Sequence, residues 1–261
     1  MKVVIFAGGR GTRLGGEGAP IPKPMTIIGD RPILWHIMKI YSYYGFKEFV
    51  ILLGYKGDKI REYFANYWLH NSDVCFSLQD NSFTVLNSEA DDWSVSLIET
   101  GLDTNTGGRL LRAKKVIGEG QFLLTYGDGL ADIDIPETVR FHGSHDGRLT
   151  MTVVRQRGRF GAVETDDSGR VGYFEEKPLD RQPWINGGFF VCDADIFQYL
   201  DNDETVLEEE PLRTLSGRGD VFGFHHQGFW SCLDTPRDRD ILADWWDSGK
   251  APWAIWDKKK S

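Results

Sequence analysis

Short, uninterrupted apolar runs alternate along the chain with stretches in which apolar residues recur every three or four positions. Val3-Val4-Ile5-Phe6 predicts a strand buried on both faces. A helix is predicted over 32–44: Pro32 sits in its first turn, Ile33, Ile37, Ile40 and Tyr44 share a face, and Gly45 stops it. Glu48 to Leu53 predicts a second buried strand ended by Gly54, and Lys59 to Leu69 a second helix. Ile60, Tyr63, Phe64 and Tyr67 fall at helical spacing on it and read as core. This β-loop-α-β-α order implies parallel strands joined by right-handed crossovers.

The pattern then shortens. Val74 to Leu78 and Phe83 to Leu86 read as a hairpin, and Val95 to Glu99 as a further strand on the sheet edge. A loop from Thr100 opens a helix running to about Ile117, with Thr106 placed to cap it and its first amides directed into the loop. Gln121 to Tyr126 is apolar enough to be a central strand, and a helix follows over 135–145. Leu149 to Val154 predicts another strand, 162–165 and 171–174 a hairpin, and Trp184 to Val191 one more strand. The last third reads as mostly helical, over 194–200, 207–215 and 235–247, with a strand at 221–224. No repeat or long linker interrupts the chain. The expected architecture is an α/β, Rossmann-like mixed and mainly parallel sheet flanked by helices. Small β-rich and C-terminal helical appendages complete a single domain over 1–261.

Composition narrows the class. With 261 residues, 41% of them apolar, the chain can bury a substantial core. It has no apolar run long enough to cross a membrane and no leader-like start, so the expectation is a soluble, cytoplasmic protein without membrane partners. A net charge of −9 argues against nucleic acid as a partner. Cys75, Cys192 and Cys232 are far apart and odd in number, and read as buried reduced thiols.

An acidic protein that binds polyphosphate must gather its cations locally. The loop Ala7-Gly8-Gly9-Arg10-Gly11-Thr12-Arg13-Leu14 follows the first strand, and its glycines let backbone amides approach a phosphate. Arg13 adds a cationic fork, and Lys23, between Pro22 and Pro24, a point charge. Gly127-Asp128-Gly129 closes the central strand, where α/β folds place ligand chemistry. Asp128 is a metal or hydroxyl ligand in that reading and a turn residue in the plainer one. Asp234, just before the last helix, is either a second metal ligand or a neighbour of the helix cap. Thr106 serves equally well as a plain cap. His225 and His226 would point to opposite faces of a strand and form no metal pair. No Ser/His/Asp or Cys/His arrangement requires a covalent nucleophile. Two carboxylates holding Mg²⁺, with several basic side chains, suit direct displacement at phosphorus between two anionic substrates, whose repulsion must be screened.

Gly8-Gly-Arg-Gly-Thr-Arg-Leu14 with Pro22-Lys-Pro-Met25, and Glu176-Lys177-Pro178 as a second motif, resemble the sugar-1-phosphate nucleotidylyltransferases. Further matching segments, among them Tyr126-Gly-Asp-Gly129, Arg159-Phe-Gly-Ala162 and Ile185-Asn-Gly-Gly-Phe-Phe190, extend the resemblance over nearly the whole chain. Thr106-Gly-Gly-Arg109 points to the branch that uses cytidine nucleotides. The resemblance implies MgCTP and α-D-glucose 1-phosphate giving CDP-glucose and pyrophosphate. It implies a nucleotide site of Gly8, Gly9, Gly11, Thr12, Arg13, Lys23, Thr106, Arg109 and Gly127, with Arg13, Lys23 and Asp128 as catalytic residues. It places Gly161, Glu176, Lys177, Asn186 and Gly187 on the sugar phosphate, and Asp128 and Asp234 on Mg²⁺. The nucleotide-binding core would span about 1–150 and the sugar-binding and C-terminal portion about 151–261. The family also implies a homo-oligomer, a hexamer in the cytidylyl branch. The span Gly15 to Ile21, with three glycines and no lysine, departs from the more regular polar linker of the relatives. Alternatives are the same chemistry with another nucleotide or sugar 1-phosphate, and a non-catalytic nucleotide-sensing subunit. A dinucleotide-binding dehydrogenase is set aside, because Leu14 stands where that fingerprint needs its third glycine.

Overall fold

A computed structural model describes residues 1–11, 14, 20–156, 162–175 and 183–257. Its frame is a seven-stranded sheet. The strands are β1 (Val3–Phe6), β2 (Glu48–Leu53), β3 (Ser94–Glu99), β4 (Phe122–Tyr126), β5 (Leu149–Val154), β6 (Ile185–Cys192) and β7 (Val221–His225). They lie in the order β7-β5-β6-β4-β1-β2-β3, which puts β4 at the centre and β3 at an edge, as expected from the sequence. All neighbours are parallel except β6, which runs against both β4 and β5. Strands from before and after residue 150 therefore share one sheet.

The alternation of side chains along β1 explains why all four of its residues are buried. Val3 and Ile5 face one core and Val4 and Phe6 the other. On the first face, α1 (Ile33–Tyr43) contributes Ile33, Ile37 and Ile40, and α2 (Gly57–His70) contributes Ile60. On the second, α3 (Thr106–Ile117) contributes Leu110, Ala113 and Ile117. The aromatic C-terminal segment folds back onto the first face, where Trp253 is fully buried. The last third is less helical than its pattern suggests. Residues 194–199 form a 3₁₀ turn, and α5 covers only Glu210–Gly217. In between, α4 (Ile135–His142) stops earlier than predicted. The final helix, α6 (Pro236–Asp247), begins with a capping box between Thr235 and Asp238.

Smaller sheets are attached to this frame. Ser72–Ser77 and Ser82–Ser88 form the expected hairpin, which carries Cys75 into solvent, contrary to the expected burial. Residues 162–165 and 171–175 form the second hairpin. Gly129–Ala131 pairs with Trp230–Cys232, a contact that the local pattern does not reveal. No helix among the described residues is long and apolar enough to cross a membrane.

Candidate active site

The loops leaving β1 and β4 meet the start of β6 at one edge of the sheet. Because β6 is antiparallel to β4, with Phe189 opposite Thr125, its first residues lie beside the last residues of β4. Two cavities open there. The larger, about 600 Å³, is lined by Gly8, Gly9, Gly11, Thr106, Arg109 and Gly127, among others. The smaller, about 220 Å³, is lined by Asn186, Gly187, Trp230 and Cys232. Tyr126, Asp128 and Asp234 line both.

Lys23 occupies a 3₁₀ turn between its two prolines, which fix its approach to the sheet edge. Gly127 makes this approach possible: a Cβ there would lie 2.9 Å from Pro24 Cγ and 2.6 Å from the Phe6 carbonyl oxygen. The Lys23 ammonium donates to Asp128 Oδ2 and to Asp234 Oδ1, each at 2.7 Å. Burial alone would lower its pKa, but the two carboxylates outweigh that effect and hold it above the ordinary lysine value. Asp234 reaches the site through the short pairing of 129–131 with 230–232, extended by a bond from Leu233 N–H to the Asp128 carbonyl at 2.9 Å. Burial, then the nearby Asp234 charge, pushes the Cys232 thiol up to about 12, so it stays protonated and donates to Asp234 Oδ2 at 3.4 Å.

Two carboxylates able to share one ammonium can also share a small divalent cation. Among the described residues no three His, Cys, Asp or Glu side chains form a metal cluster. A Mg²⁺ ion here would complete its shell with water and substrate phosphate, the usual arrangement for that ion. The donor set fits it.

Several expected roles change. Thr106 does not cap α3; Asn105 holds the cap position without a side-chain bond. Thr106 Oγ1 instead donates to Glu208 Oε2 at 2.6 Å and accepts from Leu207 N–H at 2.9 Å. The amides expected to face the loop are also engaged: Asn105 N–H bonds the Asp203 carbonyl, and Gly107 N–H the Thr205 carbonyl. Gly107 and Gly108 allow this close approach, since a Cβ on either would come within 2.6 Å of the 203–205 segment.

Arg109 lines the large cavity but is only 5% exposed, and its guanidinium is committed to protein oxygens. Nη1 donates to Leu53 O, Thr100 Oγ1 and Gly101 O, and Nη2 to Gly8 O at 3.1 Å. It therefore clamps the glycine loop after β1 to the ends of β2 and β3, in addition to lining the cavity where the resemblance implies a nucleotide. The clamp requires glycine at position 8, where a Cβ would lie 2.2 Å from Arg109 Nη1.

Asn186 accepts from Gly188 N–H and donates to Tyr126 Oη at 3.3 Å. Gly9, Gly11, Lys23, Gly127, Asp128, Asn186, Gly187 and Asp234 are thus brought to one sheet edge. Thr12, Arg13, Gly161, Glu176 and Lys177, and most of the Gly-rich span, lie outside the described residues. Sequence reasoning missed Tyr126, although it ends the central strand immediately before Gly127. It also missed Glu208, which carries no local signal within the run Glu208-Glu209-Glu210.

A family model described as nucleotidyl transferase matches residues 2–237. A glucose-1-phosphate cytidylyltransferase of Salmonella typhi is 48% identical over 258 residues, covering 98% of this chain and 100% of that protein. The chain belongs to the nucleotidyl transferase family. A probable glucose-1-phosphate cytidylyltransferase of Bacillus subtilis is 43% identical over 259 residues, again covering 98% of this chain and the whole of the relative. Among solved structures, HddC from Yersinia pseudotuberculosis superposes with a TM-score of 0.68 at 24% identity, covering 94% of this chain and 99% of its own. A UDP-glucose pyrophosphorylase complexed with UDP-glucose superposes at 0.64 and 17% identity, over 95% and 98% of the two chains. These two likenesses show a shared fold of sheet and flanking helices.

Proposed function

We propose that the chain transfers the cytidylyl group of CTP to α-D-glucose 1-phosphate, giving CDP-glucose and pyrophosphate. The observation that carries this reading is the shared wall: one lysine and two aspartates stand between a nucleotide-sized cavity and a smaller one. End-to-end similarity to enzymes named for this reaction supports the choice of substrates.

CTP occupies the larger cavity with its phosphates toward Gly8, Gly9 and Gly11, and Thr12 and Arg13 are further phosphate contacts. Glucose 1-phosphate occupies the smaller cavity beside Asn186 and Gly187, with Gly161, Glu176 and Lys177 as further contacts. An oxygen of the sugar phosphate attacks the α-phosphorus of CTP. The bond from that phosphorus to the β-phosphate bridging oxygen breaks, and its electron pair leaves with pyrophosphate. The attacking phosphate is already ionised, so no general base is needed. Lys23 neutralises charge at the reacting phosphates, which is effective in a partly buried site where water screens poorly. Mg²⁺, held by Asp128 and Asp234 when bound, supplies further charge neutralisation and alignment. Residues 1–150 serve mainly the nucleotide and 151–261 mainly the sugar within one domain. A homo-oligomeric state is supported by the exposed apolar side chains of the first hairpin, including Phe76, Leu78 and Leu86.

The test is a pyrophosphate-release panel of CTP, UTP, dTTP and ATP against several sugar 1-phosphates with Mg²⁺. Fastest turnover with CTP and glucose 1-phosphate is expected. A different preferred pair would reassign the substrates, and no release with any pair would leave a nucleotide-sensing protein.

A further inference from the structure

Glu208 belongs to neither phosphate motif and projects from an exposed segment, yet both its carboxylate oxygens are tied to cavity walls. Oε2 accepts from Thr106 Oγ1 at 2.6 Å, and Oε1 accepts from Tyr126 Oη at 2.5 Å. Having donated to Glu208, Tyr126 Oη accepts from Asn186 Nδ2 at 3.3 Å. The Asn186 amide is oriented for this by its Oδ1, which accepts from Gly188 N–H at 2.8 Å. A chain of aligned donors therefore runs from Asn186 through Tyr126 to Glu208, and a second runs from Leu207 N–H through Thr106 to the same carboxylate. Such chains polarise their members, so each bond depends on the next.

The end points give this network its meaning. Thr106 lines the larger cavity, Asn186 the smaller, and Tyr126 both. Tyr126 also has little freedom to move independently. It stacks on Phe6 at 5.7 Å and meets Phe190 edge-on at 5.9 Å. At Gly188, φ is +80°, and a Cβ there would lie 2.6 Å from Tyr126 Cδ2, so the ring rests directly against the β6 backbone.

We infer that Glu208 is a positioning residue that couples the two substrate cavities, holding Thr106 and Tyr126 so that occupation of one cavity favours occupation of the other. The inference rests on the assignment of the cavities to CTP and glucose 1-phosphate. A ligand that hydrogen-bonds Thr106 or Asn186 polarises the shared chain, and the second ligand then meets a wall whose donors are already biased toward it. Only an acceptor at both oxygens can serve two hydroxyl donors. Glu208→Gln keeps the size but replaces one acceptor with an NH₂ donor. Tyr126→Phe keeps the ring and removes the relay hydroxyl.

The test measures binding of a CTP analogue with a non-reactive α,β-methylene bridge, by calorimetry, with and without saturating glucose 1-phosphate. In the native protein the sugar phosphate should tighten analogue binding about 5- to 10-fold, within the ordinary range of coupling between sites. Glu208→Gln should bind each ligand separately with affinity within about threefold of native but lose most of the mutual tightening. Tyr126→Phe should lose the same coupling, and the double variant should lose no more than either alone, as for two residues acting through one bond; a merely structural loss in Glu208→Gln would instead weaken each separate affinity along with the coupling. Undiminished coupling in Glu208→Gln, or additive losses, would overturn the inference while leaving the substrate assignment intact. Absence of coupling in the native protein would overturn it likewise. Failure of the native protein to bind the analogue at all would remove the substrate assignment and this inference with it.

Discussion

Lys23 carries two demands that pull in opposite directions. Its ammonium bridges Asp128 and Asp234, and the proposed reaction needs the same charge near phosphate. Were Asp128 and Asp234 to hold a divalent cation, as proposed, the ammonium would be released toward substrate phosphate. Lys23→Met should therefore lower kcat by about 10²–10³-fold, the scale of losing one preorganised charge at a transition state. Apparent Mg²⁺ affinity should rise in that variant, because the carboxylates lose their internal competitor. Steady-state rates against Mg²⁺ concentration check both; an unchanged kcat would make Lys23 a structural ion-pair partner. Asp128→Asn should act differently, cutting turnover by roughly 10²-fold or more and weakening Mg²⁺ dependence. Near-native turnover in it would return Asp128 to the role of a turn residue.

Among the elements, those made by local pattern were legible and those made by distant pairing were not. The apolar run of β1 and the periodic faces of α1 and α2 are dictated by burial against the sheet, so their positions follow from spacing alone. Asp128 was legible for the same reason: a glycine-flanked carboxylate after a buried strand lies at the edge where ligands bind. The approach of Asp234 depends instead on pairing residues 129–131 with 230–232, and nothing in either segment names the other. The sequence of the Thr106-Gly-Gly-Arg109 stretch predicts a nucleotide contact. Its glycines admit the 203–205 backbone, its threonine binds Glu208, and its arginine clamps the glycine loop after β1. This gives an element-scale prediction. Gly107→Ala should push α3 away from Thr205, whose Cγ2 lies 2.6 Å from the added methyl position. A loss of about 1–3 kcal/mol in urea-monitored stability is expected, as for other overpacked contacts. No change would mean that the 203–205 segment yields freely.

For the molecule as a whole, the C-terminal aromatic segment joins the first core around His36. That ring is fully buried, with Nε2 donating to the Ile28 carbonyl at 3.0 Å and Nδ1 accepting from Trp253 Nε1 at 3.3 Å. Trp246 meets it edge-on at 4.5 Å. Burial, only partly offset by the Ile28 carbonyl, pushes its pKa down to about 4. The folded protein therefore binds this proton less readily than the unfolded chain. Its share of stability is present above pH ~6.5 and is lost as pH falls toward about 4, a change of roughly 3 kcal/mol. Urea unfolding between those limits should show a steeper acid loss in the native protein than in His36→Gln, which cannot titrate there. Parallel curves would assign the acid sensitivity to other groups.

The central claim is that one cluster, between two cavities, directs a sugar phosphate to the α-phosphorus of CTP. Following phosphorus labels tests it most directly, using CTP labelled at either the α or the γ position together with glucose 1-phosphate. The account predicts that α-label appears in CDP-glucose and γ-label in pyrophosphate, in step with each other and only when the sugar phosphate is present. α-Label released as CMP without sugar nucleotide, or γ-label transferred to the sugar phosphate, would contradict it.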